Sequence, residues 1–179
     1  EWRTGLWDCS GGGIILNPSV TNPHAEGQYS FGVSHSCPGG WGAFGFDRRN
    51  SDWTVIGTMY PNEYHVLGLS FNPGNDTAAA NNLNVMLDNG SDPRPLRDFI
   101  PSLQPNQWHT VRIPIAEINS SGEPFFRLYF FNMGSGSPVY YLDNIYLEHS
   151  PDIVPPVISG LVVDSISSDG AVIRGNTDE

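Results

Sequence analysis

Glycine (20 residues) and proline (15 residues) interrupt this 179-residue chain every few positions, and no long stretch between them carries the i, i+3, i+4 apolar spacing of a helix. What the intervals do carry is alternation with a period of two, the signature of a half-buried strand. Eight strands are expected: Gly13 to Leu16, Gln28 to Ser34, Trp41 to Asp47, Glu63 to Phe71, Asn82 to Asp88, Trp108 to Ile113, Phe125 to Asn132 and Val139 to Glu148. Eight exceed what one sheet holds comfortably, and each has one apolar face to bury. The fold class that follows is all-β: a two-sheet antiparallel β-sandwich, with a jelly roll as the leading architecture.

Alternation also assigns faces. Leu67, Leu69 and Phe71 form one core set, Leu83, Val85 and Leu87 a second, Phe126, Leu128 and Phe130 a third, and His109, Val111 and Ile113 a fourth. Tyr64, Val66, Asn84, Met86 and Asp88 then fall on the opposite faces, as do Arg127, Tyr129 and Phe131. After His149 the pattern breaks at Ser150-Pro-Asp-Ile-Val-Pro-Pro, a composition that makes a stiff, extended linker. Three segments are therefore expected: a sandwich over 1–149, a Pro-rich linker over 150–156, and a short C-terminal β extension over 157–179. The last reads as two strands around Ser167-Ser-Asp-Gly170, and a lone hairpin is marginally stable in water.

Composition narrows the function. Charged residues total 27, of which 19 are acidic and 8 basic, giving a net charge of −11, and all eight basic residues are arginine. Nucleic-acid affinity comes mostly from neutralising phosphates, so a chain this acidic, with Arg48-Arg49 its one basic pair in sequence, is a poor nucleic-acid binder. Anionic membrane surfaces are disfavoured for the same reason, and no apolar run is long enough for membrane insertion as a helix. Absence of lysine together with Gly, Pro, Asn and aromatic richness leans toward a secreted, extracellular protein. Cys9 and Cys37 have neither zinc-ligand nor Cys-x-x-Cys spacing. A structural disulfide is the simplest reading, and two reduced buried thiols are the alternative.

Catalytic signatures such as His-Glu-x-x-His, Gly-x-Ser-x-Gly and the phosphate-binding loop are missing. His24, His35, His65, His109 and His149 are dispersed without i, i+2 or i, i+4 pairs, so no zinc or copper site is expected from them. Three stretches are more specific: Trp2-Arg-Thr-Gly-Leu-Trp7-Asp8-Cys9-Ser10-Gly-Gly followed by Gly27-Gln28-Tyr29-Ser30-Phe31; Gln107-Trp108-His-Thr-Val-Arg-Ile-Pro114-Ile; and Tyr140-Tyr141-Leu142-Asp143-Asn144-Ile145-Tyr146-Leu147. In this order and spacing, over about residues 1 to 148, the chain resembles the secreted jelly-roll carbohydrate-binding modules attached to polysaccharide-degrading enzymes, within the galactose-binding-like sandwiches. The tail from Pro155-Pro156-Val-Ile-Ser-Gly-Leu-Val-Val looks like the start of a fibronectin type III-like domain, without its second-strand tryptophan around Arg174-Gly175.

The resemblance implies non-catalytic binding of a polysaccharide or oligosaccharide, in a longer parent chain whose linked domains it targets to the glycan. Sugars present apolar C–H faces ringed by hydroxyls, so their sites need aromatic platforms and planar hydrogen-bonding side chains. The set Tyr64, Asn84, Met86, Asp88, Arg127 and Tyr129 fits that need, and Trp41 and Trp53, flanking Asp47-Arg-Arg-Asn50, are the candidate loop platforms. The resemblance also implies a structural calcium (Ca2+) held by Asp143 with a residue such as Glu26 and backbone carbonyls. Trp2, Trp7 and Trp108 are assigned to packing. Two other classes fit the same sandwich: a structural or adhesion module of an extracellular assembly, and a polysaccharide lyase or hydrolase.

Overall fold

The computed structural model describes residues 3–7, 13–36, 42–49, 54–77, 81–88, 93–132, 138–151 and 158–177. Two five-stranded antiparallel sheets make a sandwich. The first sheet contains β1 (Arg3–Trp7), β4 (Gly42–Asp47), β6 (Leu83–Leu87), β7 (Arg94–Pro95) and β9 (Arg127–Asn132), in the spatial order β1-β4-β9-β6-β7. The second contains β2 (Gly13–Val20), β3 (Ser30–Ser36), β5 (Tyr64–Asn72), β8 (His109–Pro114) and β10 (Val139–His149), in the order β2-β3-β10-β5-β8. Neighbours in each sheet are mostly distant in sequence, so the sheets are built by crossovers between the two layers. All eight expected sandwich strands are present. The two that the sequence reading missed, β1 and β7, are the edges of the first sheet. β7 is two residues long and contains a proline, and Arg-Thr-Gly-Leu-Trp of β1 has no two-residue apolar period, so neither carries the alternation by which a strand is recognised.

The core lies between the inner faces. Leu67, Leu69 and Phe71 of β5, Leu83, Val85 and Leu87 of β6, Val111 and Ile113 of β8, and Leu128 and Phe130 of β9 are all buried, as alternation requires. Phe44 stacks on Phe130 with centroids 5.3 Å apart and an interplanar angle of 14°, and Phe31 and Tyr140 of the second sheet close on it at 6.0 and 6.4 Å. One expectation needs correcting: Phe126 is not a core residue. It precedes β9 and is half-buried, while Phe125 takes the core position, because the backbone of Phe125 exchanges hydrogen bonds with Met59 (2.7 and 2.9 Å) and turns the chain before the strand begins. Short helical turns close the ends of the sandwich. A 3-10 turn over Leu96–Phe99 buries Leu96, and one turn of α-helix, α1 (Ile115–Ile118), follows Pro114 and buries Ile115 and Ile118.

Two bulges reset the alternation where simple counting would fail. Asn144 sits at φ 48°, a conformation asparagine tolerates better than most residues, and the register with β5 shifts between Asp143 and Tyr146. The inward set of β10 therefore changes parity, from Tyr140 and Leu142 to Ile145 and Leu147. A second shift between Glu148 and His149 pairs His149 with Tyr64, and Tyr64 turns inward against the core.

Beyond the sandwich, β11 (Ile158–Ser167) and β12 (Gly170–Thr177) pair only with each other. Every described side chain of this hairpin is exposed, including Leu161, Val163, Ile166 and Ile173. Of the expected linker only Ser150 and Pro151 are described; Ser150 N–H donates to the Glu63 carbonyl at 2.7 Å.

Candidate functional site

The outer face of the first sheet collects most of the expected binding residues. Register fixes the rows: Phe131 on β9 lies between Ala43 of β4 and Asn84 of β6, Tyr129 between Gly45 and Met86, and Arg127 beside Asp47. Asp88 follows β6 directly, and its N–H donates to the Arg127 carbonyl at 3.2 Å. On one side of the β9 aromatics the neighbours are small, Ala43 and Gly45, and on the other they are the longer Asn84 and Met86. Asn84, Met86, Tyr129 and Phe131 are half-buried, so their upper faces remain in contact with solvent.

Arg127 organises the group. Its guanidinium lies over the rings of Phe126 (5.3 Å to the centroid) and Tyr129 (5.0 Å), its Nη1 donates to the Tyr129 hydroxyl, and its Nε stands 3.5 Å from Asp47 Oδ2. Arg127 is 8% exposed and Asp47 3%, so this is a buried ion pair that fixes the phenol from beneath. Burial lowers the Arg127 pKa, as does the like charge of Arg49, while Asp47 and Asp88 oppose the shift. Arg49 in turn stacks over the far side of the cluster, 4.8 Å from the Phe126 centroid.

Asp88 plays a different part from the one expected of a simple Arg127 partner. Its Oδ1 accepts the N–H groups of Phe126 and Arg127, both at 3.0 Å, and its side chain makes no ion pair with the guanidinium at contact distance; that place belongs to Asp47. Asp88 is 6% exposed, and burial raises its pKa against the opposing pull of the two amides and of Arg127. Its Oδ2 is buried without a hydrogen-bond partner among the described residues.

The remaining expectations fall elsewhere. Tyr64 belongs to the second sheet, where the bulge turns it inward, and its ring packs on His149 with centroids 4.5 Å apart; it is therefore not part of the Tyr129 face. Trp41, Trp53, Cys9, Cys37 and Trp2 lie outside the described residues, as does the side chain of Trp7. Trp108 is half-buried, consistent with packing at a strand's start. Asp143 and Glu26 meet through the backbone. Asp143 Oδ2 accepts the N–H groups of Ala25 (2.8 Å) and Glu26 (2.9 Å), and Oδ1 accepts that of Asn144 (2.8 Å), which ties the 21–29 loop over the closing strand. Amide hydrogens thus engage both oxygens, and the described residues hold no group of three or more His, Cys, Asp or Glu side chains suited to a metal ion.

Sequence reasoning overlooked Asp47 as the partner of Arg127 and left out Phe131, Ala43 and Gly45. Phe131 was legible from the same alternation that found Tyr129. The pairing of β4 with β9, which brings Asp47 to Arg127 and small residues beside the aromatics, joins segments about eighty residues apart and leaves no local signal.

No protein-family model matches the sequence, and no curated protein matches it. Among solved structures, the chain is similar to a β-1,2-glucanase from Parabacteroides distasonis (TM-score 0.55, 15% identity, 90% of this chain and 24% of that one). It is similar to SGBP-B from a complex xyloglucan utilization locus in Bacteroides uniformis (TM-score 0.51, 14% identity, 81% of this chain and 47% of that one). A further structural neighbour is the family 11 carbohydrate-binding module of the cellulosomal cellulase Lic26A-Cel5E of Clostridium thermocellum (TM-score 0.49, 13% identity, 83% of this chain and 88% of that one). The chain spans about a quarter of the glucanase and under half of SGBP-B. At these identities the likeness shows a shared β-sandwich fold.

Proposed function

We propose that this protein is a non-catalytic, extracellular binding module that holds a polysaccharide against the outer face of the first sheet and targets covalently linked neighbours to it. The observation that carries the reading is the row Tyr129, Phe131, Met86 and Asn84, with Arg127 fixing the Tyr129 phenol from below. Two aromatic side chains two residues apart on one strand present adjacent apolar surfaces, and sugar C–H faces stack on such surfaces. Asn84 supplies an amide at the edge; its Nδ2 donates to the Asn82 carbonyl at 2.9 Å, and no described residue occupies its oxygen. The glycans named for the glucanase and for the xyloglucan locus are in keeping with this class of ligand.

Binding is favoured over hydrolysis by how the carboxylates of this face are used. Glycoside hydrolysis needs one carboxyl group free to give a proton and a second free to attack or activate water. Asp47 is paired with Arg127 and 3% exposed, and Asp88 is 6% exposed with Oδ1 committed to two amides, so neither can reach a glycosidic bond. Affinity gel electrophoresis against soluble β-glucans, galactans and xylans tests the reading. Tyr129→Ala is expected to lose at least about tenfold in affinity, the worth of one stacking platform, while still melting cooperatively as a folded protein. Retention of the folded wild-type protein by none of these glycans, or unaltered binding by Tyr129→Ala, counts against the site, and release of reducing ends would move the protein to the enzymes.

A further inference from the structure

A cleft of about 440 Å³ opens between the two sheets at one end of the sandwich, within the size range of small-molecule sites. One wall comes from Phe46 and Leu128 of the first sheet, the other from Tyr64 and Leu67 of the second, with Met59 and Phe125 between them. This is where the β5 bulge delivers Tyr64. The Tyr64 ring, tilted against that of His149, stands in the cleft lining, away from the Tyr129 face.

Arg48 is the anomaly in this lining. Its backbone is anchored on both sides, with N–H donating to the Phe126 carbonyl at 3.0 Å and C=O accepting from Ile56 at 2.8 Å. Its guanidinium lies flat on Gly57, where an added Cβ would stand 2.7 Å from Cζ and 2.8 Å from Nη2, so the glycine is what admits the group. Arg94, Arg112, Arg127 and Arg174 each face a carboxylate, whereas the half-buried Arg48 side chain has no ion pair or hydrogen bond among the described residues. In a chain with 19 acidic residues against 8 arginines, a cation beside an apolar cleft that no described carboxylate neutralises is available to an anionic ligand.

We propose that the cleft binds a small carboxylate carried on an aromatic body, the carboxylate taken by Arg48 and the ring by the walls. A planar guanidinium accepts a carboxylate through two parallel hydrogen bonds. The rings of Phe46, Phe125 and Tyr64 offer the faces and edges an aromatic body packs against. Polar side chains of the lining are confined to Arg48, Tyr64, Tyr146 and His149, so the hydroxyls of a sugar that fall against Leu67, Leu128 and Met59 would go unpaired. The site is separate from the polysaccharide face and does not depend on it.

The test is an amide-resolved NMR titration of the full chain at pH 7 with three probes: benzoate, benzyl alcohol and glucuronate. Benzoate is expected to saturate, with shifts confined to the cleft lining. Benzyl alcohol, lacking the charge, is expected to bind at least about tenfold more weakly, the worth of a charge-assisted pair. Arg48→Gln should bring benzoate down to the level of benzyl alcohol, and Arg49→Gln, whose guanidinium lies on Phe126, should not. Equal binding of benzoate and benzyl alcohol to the wild-type protein overturns the role of Arg48 whether or not the variant folds. Glucuronate binding as well as benzoate overturns the aromatic body, and shifts that never saturate overturn the site.

Discussion

Tyr140 and Asp88 are buried side chains that each carry a polar atom without a hydrogen-bond partner among the described residues. Tyr140 is 2% exposed, its ring between Phe44 and Phe71; its hydroxyl has no hydrogen-bond partner among the described residues, and burial pushes its pKa far up. A buried hydroxyl without a partner costs stability that its deletion returns, so Tyr140→Phe is expected to stabilise the protein by about 1 kcal/mol in urea unfolding. A loss of stability would mean that the hydroxyl has a partner. Asp88 gives a pH-dependent counterpart. Burial holds its folded pKa above the ordinary 3.8, so the folded protein retains a proton that the unfolded chain has released. The associated stability is present below 3.8 and is lost as pH rises through the raised value. Asp88→Asn keeps an oxygen for the Phe126 and Arg127 amides and cannot ionise. Its stability relative to wild type is expected to increase as pH rises past 3.8 and to level off once the raised folded pKa is passed; parallel curves would refute the assignment.

Element pairing decides what each of these residues can do. Gly45 is set into β4 opposite Tyr129, and a Cβ there would fall inside van der Waals contact with the Leu128 carbonyl oxygen of β9. Gly45→Ala is expected to cost about 2 kcal/mol by forcing the strands apart and to weaken glycan binding by displacing Tyr129. Gly13→Ala, with no atom near the added carbon, is the matched control and should leave both unchanged. β5, β6 and the edge strand β8 were legible because each buries one face and keeps strict alternation in its leucines, valines and isoleucines. The two edges of the first sheet and the bulges were not. β1 and β7 have one neighbour each, and the extra residue that turns Tyr64 inward is visible only against its partner strand β10. That is why a residue chosen for one sheet's outer face ends up lining a cleft at the end of the sandwich.

At the scale of the molecule, the sandwich and the β11–β12 hairpin share no sheet, and the exposure of every described hairpin side chain indicates that the sandwich core owes it nothing. Deleting residues 151–179 is accordingly expected to leave the melting temperature and glycan binding of the sandwich unchanged, as read by calorimetry and affinity gels. A lowered melting temperature would show the hairpin to be part of the folded unit. Oligomers that vanish on the same deletion would instead support the structural or adhesion role, since two exposed strands offer edges for pairing. The all-β class, the central strands and the outward placement of Asn84, Met86, Arg127 and Tyr129 were determined by the sequence alone, because a two-residue period and the exclusion of helix by glycine and proline are local properties. Tertiary structure alone decided that Asp47, not Asp88, pairs with Arg127, that Tyr64 joins the cleft, and that Arg48 faces it without a counter-charge among the described residues. Those outcomes depend on which strands lie side by side and where a bulge changes parity, and contacts made across long sequence separations leave no periodic trace in the chain.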